Sequence, residues 1–317
     1  KVGDPTGSIA WQDLPIDQIE RIEIVRGPRS SLYGSEAIGG VIQIFTRKGG
    51  GKPRVYGSAG YGSDSTHKSL IGVAGGNKRS WFNLSASHLE SSGFNACRDA
   101  AGCWTVEPDD DGYRNTSIQG RVGYRLSETG EVELNILRAE GHNEYDSPGA
   151  NENDFVEQIV GARLSFSPLS NWRTNFVAGN ALSEREYFQN GSRYSGEDLE
   201  TSRNTLSWQN DFTLGDDHLF TAGLDYQRDK VEGDQPFTVS DRDSKAGFVQ
   251  YQGAFGSHKL QLAGRHDDNE QFGEHPTGSI ACGYHWKRNL GFFASYGTAF
   301  KAPNFMELHI PWGGNID

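Results

Sequence analysis

From residue 53 to residue 300 the chain alternates apolar and polar side chains with a period of two, interrupted at intervals by turn-forming residues. In "SWFNLSASHL", Phe82, Leu84 and Ala86 fall on one face and Asn83, Ser85 and Ser87 on the other. "TLSWQNDFTL" sets Leu206, Trp208, Phe212 and Leu214 against polar neighbours, and "LFTAGLDYQ" repeats the pattern with Phe220, Ala222, Leu224 and Tyr226. Such alternation specifies strands with one apolar and one wet face. It predicts thirteen of them, at 53–62, 66–76, 79–91, 114–126, 130–140, 155–167, 171–184, 199–214, 217–230, 244–255, 258–267, 277–286 and 290–300.

The connections sort by length. "GGNK", "SETG", "PLSN", "LGDD", "GSH" and "KRN" are tight turns, whereas the intervening loops are long, apart from a short first one at "GSDST", with the longest at 92–113. A soluble sandwich has no reason to gather its short turns at one end. An outer-membrane barrel has, because its periplasmic turns are short and its external loops long. A propeller would carry a repeated blade signature, and none is visible. The reading is an all-β transmembrane β-barrel with strands long enough to cross obliquely. Thirteen is odd, and single-chain bacterial barrels have even strand numbers, so the chain is expected to be a fragment lacking further strands.

Composition agrees. Hydrophobic residues make up 35% of the 317, too few and too scattered for a membrane helix, while 17 Phe, 12 Tyr and 7 Trp exclude a disordered chain. The net charge of -12 argues against a nucleic-acid surface. Cys97 and Cys103 bracket "RDAAG", close enough for a disulfide in an oxidising compartment, with two free surface thiols as the alternative. Cys282 lies inside a strand pattern and reads as a small packing residue. The nine histidines are scattered without a neighbouring nucleophile, so no enzyme site is expected.

Residues 1–50 differ from the rest, 51–317 being the barrel. "PIDQIE" puts Pro15 at a helix-compatible first turn, "RIEIVRG" alternates Ile22 and Ile24 against Glu23, "SSLYGSEAIGG" bends, and "VIQIFTR" forms a second strand. A small α+β unit ahead of a wide barrel is most simply a plug in its lumen. Over about thirty residues "IERIEIVRGPRSSLYGSEAIGGVIQIFTRKGG" resembles the end of the plug domain of TonB-dependent outer-membrane receptors. The resemblance implies residence in the bacterial outer membrane and an intact barrel of roughly 22 strands, of which this chain holds the first part behind a plug remnant. It also implies a monomer in contact with outer-membrane lipid, and uptake powered through TonB, which grips a box at the extreme N-terminus of family members. Arg26, Arg29 and Glu36 would be ion-paired at the plug–wall interface.

Two acidic loops bear on the ligand. In "SSGFNACRDAAGCWTVEPDDDGYRNTS", Glu107, Asp109 and Asp111 recur at every second position, so an extended segment sets their carboxylates on one side. Close carboxylates need a counter-charge, and a hard cation such as calcium takes six to eight oxygens. An EF-hand fails, because the twelfth position from Glu107 is Ile118. The next long loop carries "NEYDSPGANENDF". The pair of loops is similar to the cobalamin (vitamin B12) transporters of the family, in which corresponding loops hold calcium and order the substrate surface. That similarity implies Glu107, Asp109, Asp111, Tyr145, Asp146 and Asp154 as calcium ligands. Asn95 stands where the family's pattern can have Asp, and Glu107 where an amide can occur. It further implies Ile19 and Glu20 on the plug and Ser147 beside Asp146 as cobalamin contacts. A siderophore receptor would not need paired acidic loops, and a passive porin is contradicted by the plug motif.

Overall fold

The computed structural model describes residues 10–97, 105–287 and 290–309. Two 3-10 turns, Trp11–Asp13 and Ile16–Gln18, open the described chain, the second directly after Pro15. Strand β1 (Ile19–Arg26) then pairs antiparallel with β2 (Gly40–Thr46), with Ile22 opposite Ile44 and Ile24 opposite Ile42. The bend between them carries a one-turn helix, α1 (Ser30–Tyr33). At Gly40, φ is +145° and a Cβ would lie 2.3 Å from the Val25 carbonyl oxygen, so only glycine lets the bend close onto β1.

The wall is one antiparallel sheet. It runs through β3 (Arg54–Tyr61), β4 (His67–Gly76), β5 (Ser80–Ser91), β6 (Tyr113–Arg125), β7 (Gly130–Glu144), β8 (Glu152–Leu169) and β9 (Trp172–Gln189). After the two-residue β10 (Ser192–Arg193), which only extends the β9 hairpin, it continues through β11 (Leu199–Leu214), β12 (His218–Gly233) and β13 (Asp241–Phe255). It ends with β14 (His258–Asn269), β15 (Gly273–Lys287) and β16 (Leu290–Gly297), followed by α2 (Phe305–His309). Apart from β10 these are thirteen strands, each paired to its neighbours in chain order.

The faces are inverted relative to a water-soluble protein. Asn83 is 2% exposed and the adjacent Leu84 48%; Gln119 is 3% exposed and Ile118 48%. Polar residues such as Ser117, Glu157, Ser183 and Arg185 are buried on the concave side, while Leu134, Leu206 and Leu224 stand exposed on the convex side. A continuous apolar outer surface of this kind needs a non-aqueous neighbour, which for a β-wall is the bilayer. Near the short-turn end the outer aromatics stack, Trp172 on Phe212 at 5.6 Å and Phe176 on Trp208 at 5.7 Å between ring centres, forming part of an interfacial girdle.

Several expected boundaries shift. The strands β8 and β9 have 18 residues each and overrun the predicted 155–167 and 171–184. The added residues mix Glu152, Asn153, Asp154, Arg185 and Glu186 with Leu169 and Phe188, so hydropathy does not mark these ends and main-chain pairing keeps them in the ladder. The strict short–long alternation also fails once, because β14 and β15 are joined by residues 270–272 alone. Cys282 is exposed rather than packed, on the outer face with Ile280 and Tyr284. It is the free cysteine of the described residues. A membrane-permeant maleimide is therefore expected to label it in intact outer membranes and an impermeant one to leave it unmodified. Equal labelling by both would remove this face from the hydrocarbon.

Candidate functional site

At the long-loop end, the segment between β5 and β6 folds back on itself. Gly93, at φ +66°, lets its backbone cross the returning limb, where a Cβ would come 1.7 Å from the Asp111 carbonyl oxygen. Across the crossing, the Ala96 amide donates to Asp111 Oδ2 at 2.8 Å and the Asn95 amide to Asp110 Oδ1 at 3.0 Å. The Asn95 side chain donates to the Glu107 carbonyl and accepts from the Cys97 amide, so it fastens the two limbs of the loop. Cys97 is disulfide-bonded, and Cys103 lies outside the described residues.

The next loop, residues 145–151, is bonded to the first. The Glu107 amide donates to Asp146 Oδ1 at 2.9 Å, the Gly112 amide to Glu144 Oε2 at 2.8 Å, and Asn151 Nδ2 to Glu107 Oε2 at 2.9 Å. Asp111 is held above its ordinary carboxylate range, first by burial and then by the negative charges of Asp146, Asp109 and Glu144, against the opposing Ala96 hydrogen bond. Asp146 Oδ2 is buried with no hydrogen-bond partner. A buried carboxylate oxygen among like charges is costly unless a cation joins it.

The predicted ligands divide. Asp109 and Asp146 lie within electrostatic reach of Asp111, and the Glu107 amide bonds to Asp146, without the four side chains converging on one point. Tyr145 does not turn to them: its hydroxyl meets Asn153, and burial first, then the neighbouring Tyr187, pushes its pKa up to about 12. Asp154 lies within β8, opposite His142 of β7, and is hydrogen-bonded to His142 Nδ1 at 2.7 Å. Its neighbours Asn153 and Phe155 are buried beside Arg185 on the lumen side, so the strand's period turns Asp154 outward. Glu144 takes a place in the cluster that the sequence reading missed, although it stands two residues before Asp146 on the same alternation.

The plug reaches this site by other residues than expected. Tyr113, next to Gly112, donates its hydroxyl to the Gln12 carbonyl at 3.0 Å, while Asn115 Nδ2 donates to the Asp13 carbonyl at 3.0 Å. Asp13 is 1% exposed, and its Oδ2 accepts from Arg185 Nη2 at 2.8 Å. Burial raises its pKa despite Arg185, so the ion pair does not fully offset desolvation. The turn Trp11–Asp13 is therefore the plug apex beneath the acidic loops, with Trp11 exposed. Ile19 and Glu20 lie further down: Gln18 bonds to Ser117, four residues below Tyr113 along β6, and Glu20 accepts from the Lys48 amide and pairs with Arg21. Ser147 accepts from the Gly149 amide and caps its own loop turn.

Of the three expected plug–wall ion pairs, Glu36 makes one, to Arg203 at 3.1 Å. Neither Arg26 nor Arg29 makes an ion pair among the described residues. Arg26 ends β1 on an exposed stretch of the plug, and Arg29 Nε is buried without a hydrogen-bond partner.

A family model described as "TonB dependent receptor-like, beta-barrel" matches residues 56–317, and the TonB-dependent receptor plug domain matches residues 3–41. The chain is 31% identical to the vitamin B12 transporter BtuB of Photobacterium profundum, over 99% of this chain and 52% of that protein. With BtuB of Vibrio cholerae the identity is 30%, over 98% and 51%. It thus spans about half the length of the curated relatives it matches. The fold is shared with a mutant of the ferric enterobactin receptor PfeA of Pseudomonas aeruginosa, at TM-score 0.79, 17% identity and 95% coverage of this chain against 51% of that one. The siderophore receptor PirA of the same organism gives TM-score 0.73 at 20% identity, with 92% and 51% covered. Matched through wall and plug alike, the chain belongs to the TonB-dependent receptors of the bacterial outer membrane.

Proposed function

We propose that this chain is part of a transporter that takes up cobalamin across the outer membrane, with calcium ordering the two acidic loops that receive it. The observation that carries the reading is the buried, unpartnered Asp146 Oδ2 beside Asp111, Asp109 and Glu144, in a cluster that ties two consecutive loops together. The two relatives named as vitamin B12 transporters support the substrate.

The donor set suits a hard cation, being all oxygen, with Asp109, Asp111, Glu144 and Asp146 as carboxylates and Glu107 at the seam. Among the described residues, no three His, Cys, Asp or Glu side chains already converge as a metal-binding group. The carboxylates must therefore close by changing rotamer, which the mobile single bonds of Asp and Glu allow at small cost. Calcium, when bound, supplies the positive charge that lets these carboxylates approach one another. The chain's own part is then mechanical. Gly112 and Glu107 carry the loop order to Tyr113, and Tyr113 rests on Gln12 and Asp13 at the plug apex. Trp11 offers an exposed aromatic face there for a flat ligand. Release would follow when TonB, engaged from the periplasm, rearranges the plug.

Titration calorimetry of cyanocobalamin into a receptor completed to its relatives' length, with calcium and with chelator, tests the assignment. Binding that weakens markedly on chelation is expected. Absence of binding in both conditions would sink the cobalamin reading and favour a siderophore or other metal chelate.

A further inference from the structure

The plug is fastened to the wall by charges, and three of these fastenings share one arrangement. At the apex, Arg185 binds Asp13 of the plug at 2.8 Å and Glu157 of the wall at 3.3 Å, and Ser183 in turn donates to Glu157 at 2.8 Å. Asn153 Oδ1 accepts from the same guanidinium, which also lies over the Phe155 ring. At the bend, Arg203 binds Glu36 of the plug at 3.1 Å and Asp229 of the wall at 2.5 and 2.9 Å. Near the short-turn end, Glu133 binds Lys48, just after β2, at 3.7 Å and Arg121 of the wall at 2.8 Å. At these three places the wall residue that touches a plug charge holds a second, opposite charge belonging to the wall itself, whereas Lys68, which binds Asp17 of the plug at 2.9 Å, is half-exposed and is left to water rather than buried when the plug leaves.

We infer that the barrel wall is charge-compensated without the plug, so that the plug can be withdrawn without orphaning a buried wall charge. The inference rests on the reading that the plug rearranges during uptake. Its physical basis is an asymmetry. Breaking a buried ion pair is costly chiefly because the partner left behind is uncompensated. Here Arg185 retains Glu157, Arg203 retains Asp229 and Glu133 retains Arg121, while Asp13, Glu36 and Lys48 move into water. The wall–wall contact is also the shorter one at Arg203 and Glu133, though not at Arg185. Removing a wall counter-charge should therefore tighten the plug rather than loosen it, because the plug charge becomes the sole partner.

The test is single-molecule pulling on the N-terminal side of the plug, in a receptor completed to its relatives' length and reconstituted in bilayers without ligand. Glu157→Gln and Asp229→Asn are each expected to slow plug extraction at fixed force roughly tenfold or more, as an orphaned buried charge requires. The two variants stand on different strands and face arginines that hold different plug residues, so the result does not hang on one variant's folding. On the plug side, Asp13→Asn and Glu36→Gln should change the rate by no more than about threefold, because Arg185 and Arg203 keep Glu157 and Asp229 and no buried charge is left unpaired. Wall variants that extract as fast as the parent, or faster, would overturn the inference. No cobalamin or calcium enters the measurement, so its outcome is separate from that of the substrate assignment.

Discussion

Asp111→Asn combined with Asp146→Asn is expected to abolish the calcium dependence of cobalamin binding. In the unaltered receptor, chelation should weaken binding by roughly tenfold or more, within the usual range of a coupling between two sites. In the double variant, calorimetry should give one weakened affinity whether calcium is present or not. Two negative charges leave the cluster, and the neutral amides relieve both the burial of charge and the repulsion that hold the Asp111 pKa up, in a cluster where Asp146 Oδ2 is buried without a partner. The loops should then need less help to approach and gain less from a cation. Asp154→Asn is the internal control. Its carboxylate faces outward beside His142, so the calcium response should survive. Loss of the response in Asp154→Asn, with retention in the double variant, would mean that the cluster has been assigned to the wrong side of β8.

The second large effect is steric. Gly93→Val should remove the calcium response as completely as chelation does while leaving the melting temperature of the barrel within a few degrees. A Cβ at this position meets the Asp111 carbonyl oxygen at 1.7 Å, far inside contact distance, and φ +66° is unfavourable for a β-branched residue. Relief requires the two limbs of the loop to separate, which breaks the Ala96–Asp111 and Asn95–Asp110 bonds that shape the acidic face. Gly49→Ala provides the contrast. There a Cβ would stand 2.0 Å from the Phe82 carbonyl oxygen, at the seam between plug and wall. That change should loosen plug seating, read as faster proteolysis of the plug, without selectively silencing calcium.

Much of this architecture is legible in the sequence because one rule governs both environments. A residue facing lipid and a residue facing a wet lumen must alternate, so Leu84 against Asn83 and Ile118 against Gln119 declare their faces without any partner being known. The rule lapses where both faces meet water. The upper ends of β8 and β9, with Asp154 and Glu186 among their residues, look like loop, and only cross-strand hydrogen bonding keeps them extended. Asp154 therefore looks in sequence like a loop ligand, although it stands in β8 beside His142. Glu144 is hidden for the same reason, being the last residue of a strand that continues beyond its apolar part. Contacts between distant segments were hidden altogether. Asp13 and Arg185 are 172 positions apart, and neither carries a local signal that it will be buried against the other.

The 18-residue strands have a consequence for how a ligand arrives. At about 3.3 Å per residue they measure roughly 60 Å along their axis, or some 42 Å in height at a 45° tilt. The apolar band of such a wall is only about 25 Å tall. The remainder, on the order of 15 Å, stands as a parapet on the long-loop side. The carboxylates of Asp111 and Asp146 crown that parapet, where diffusion is through open water rather than across crowded lipid headgroups. Under the proposed function, a solute would meet charge and shape there before it reaches the depth of the membrane surface.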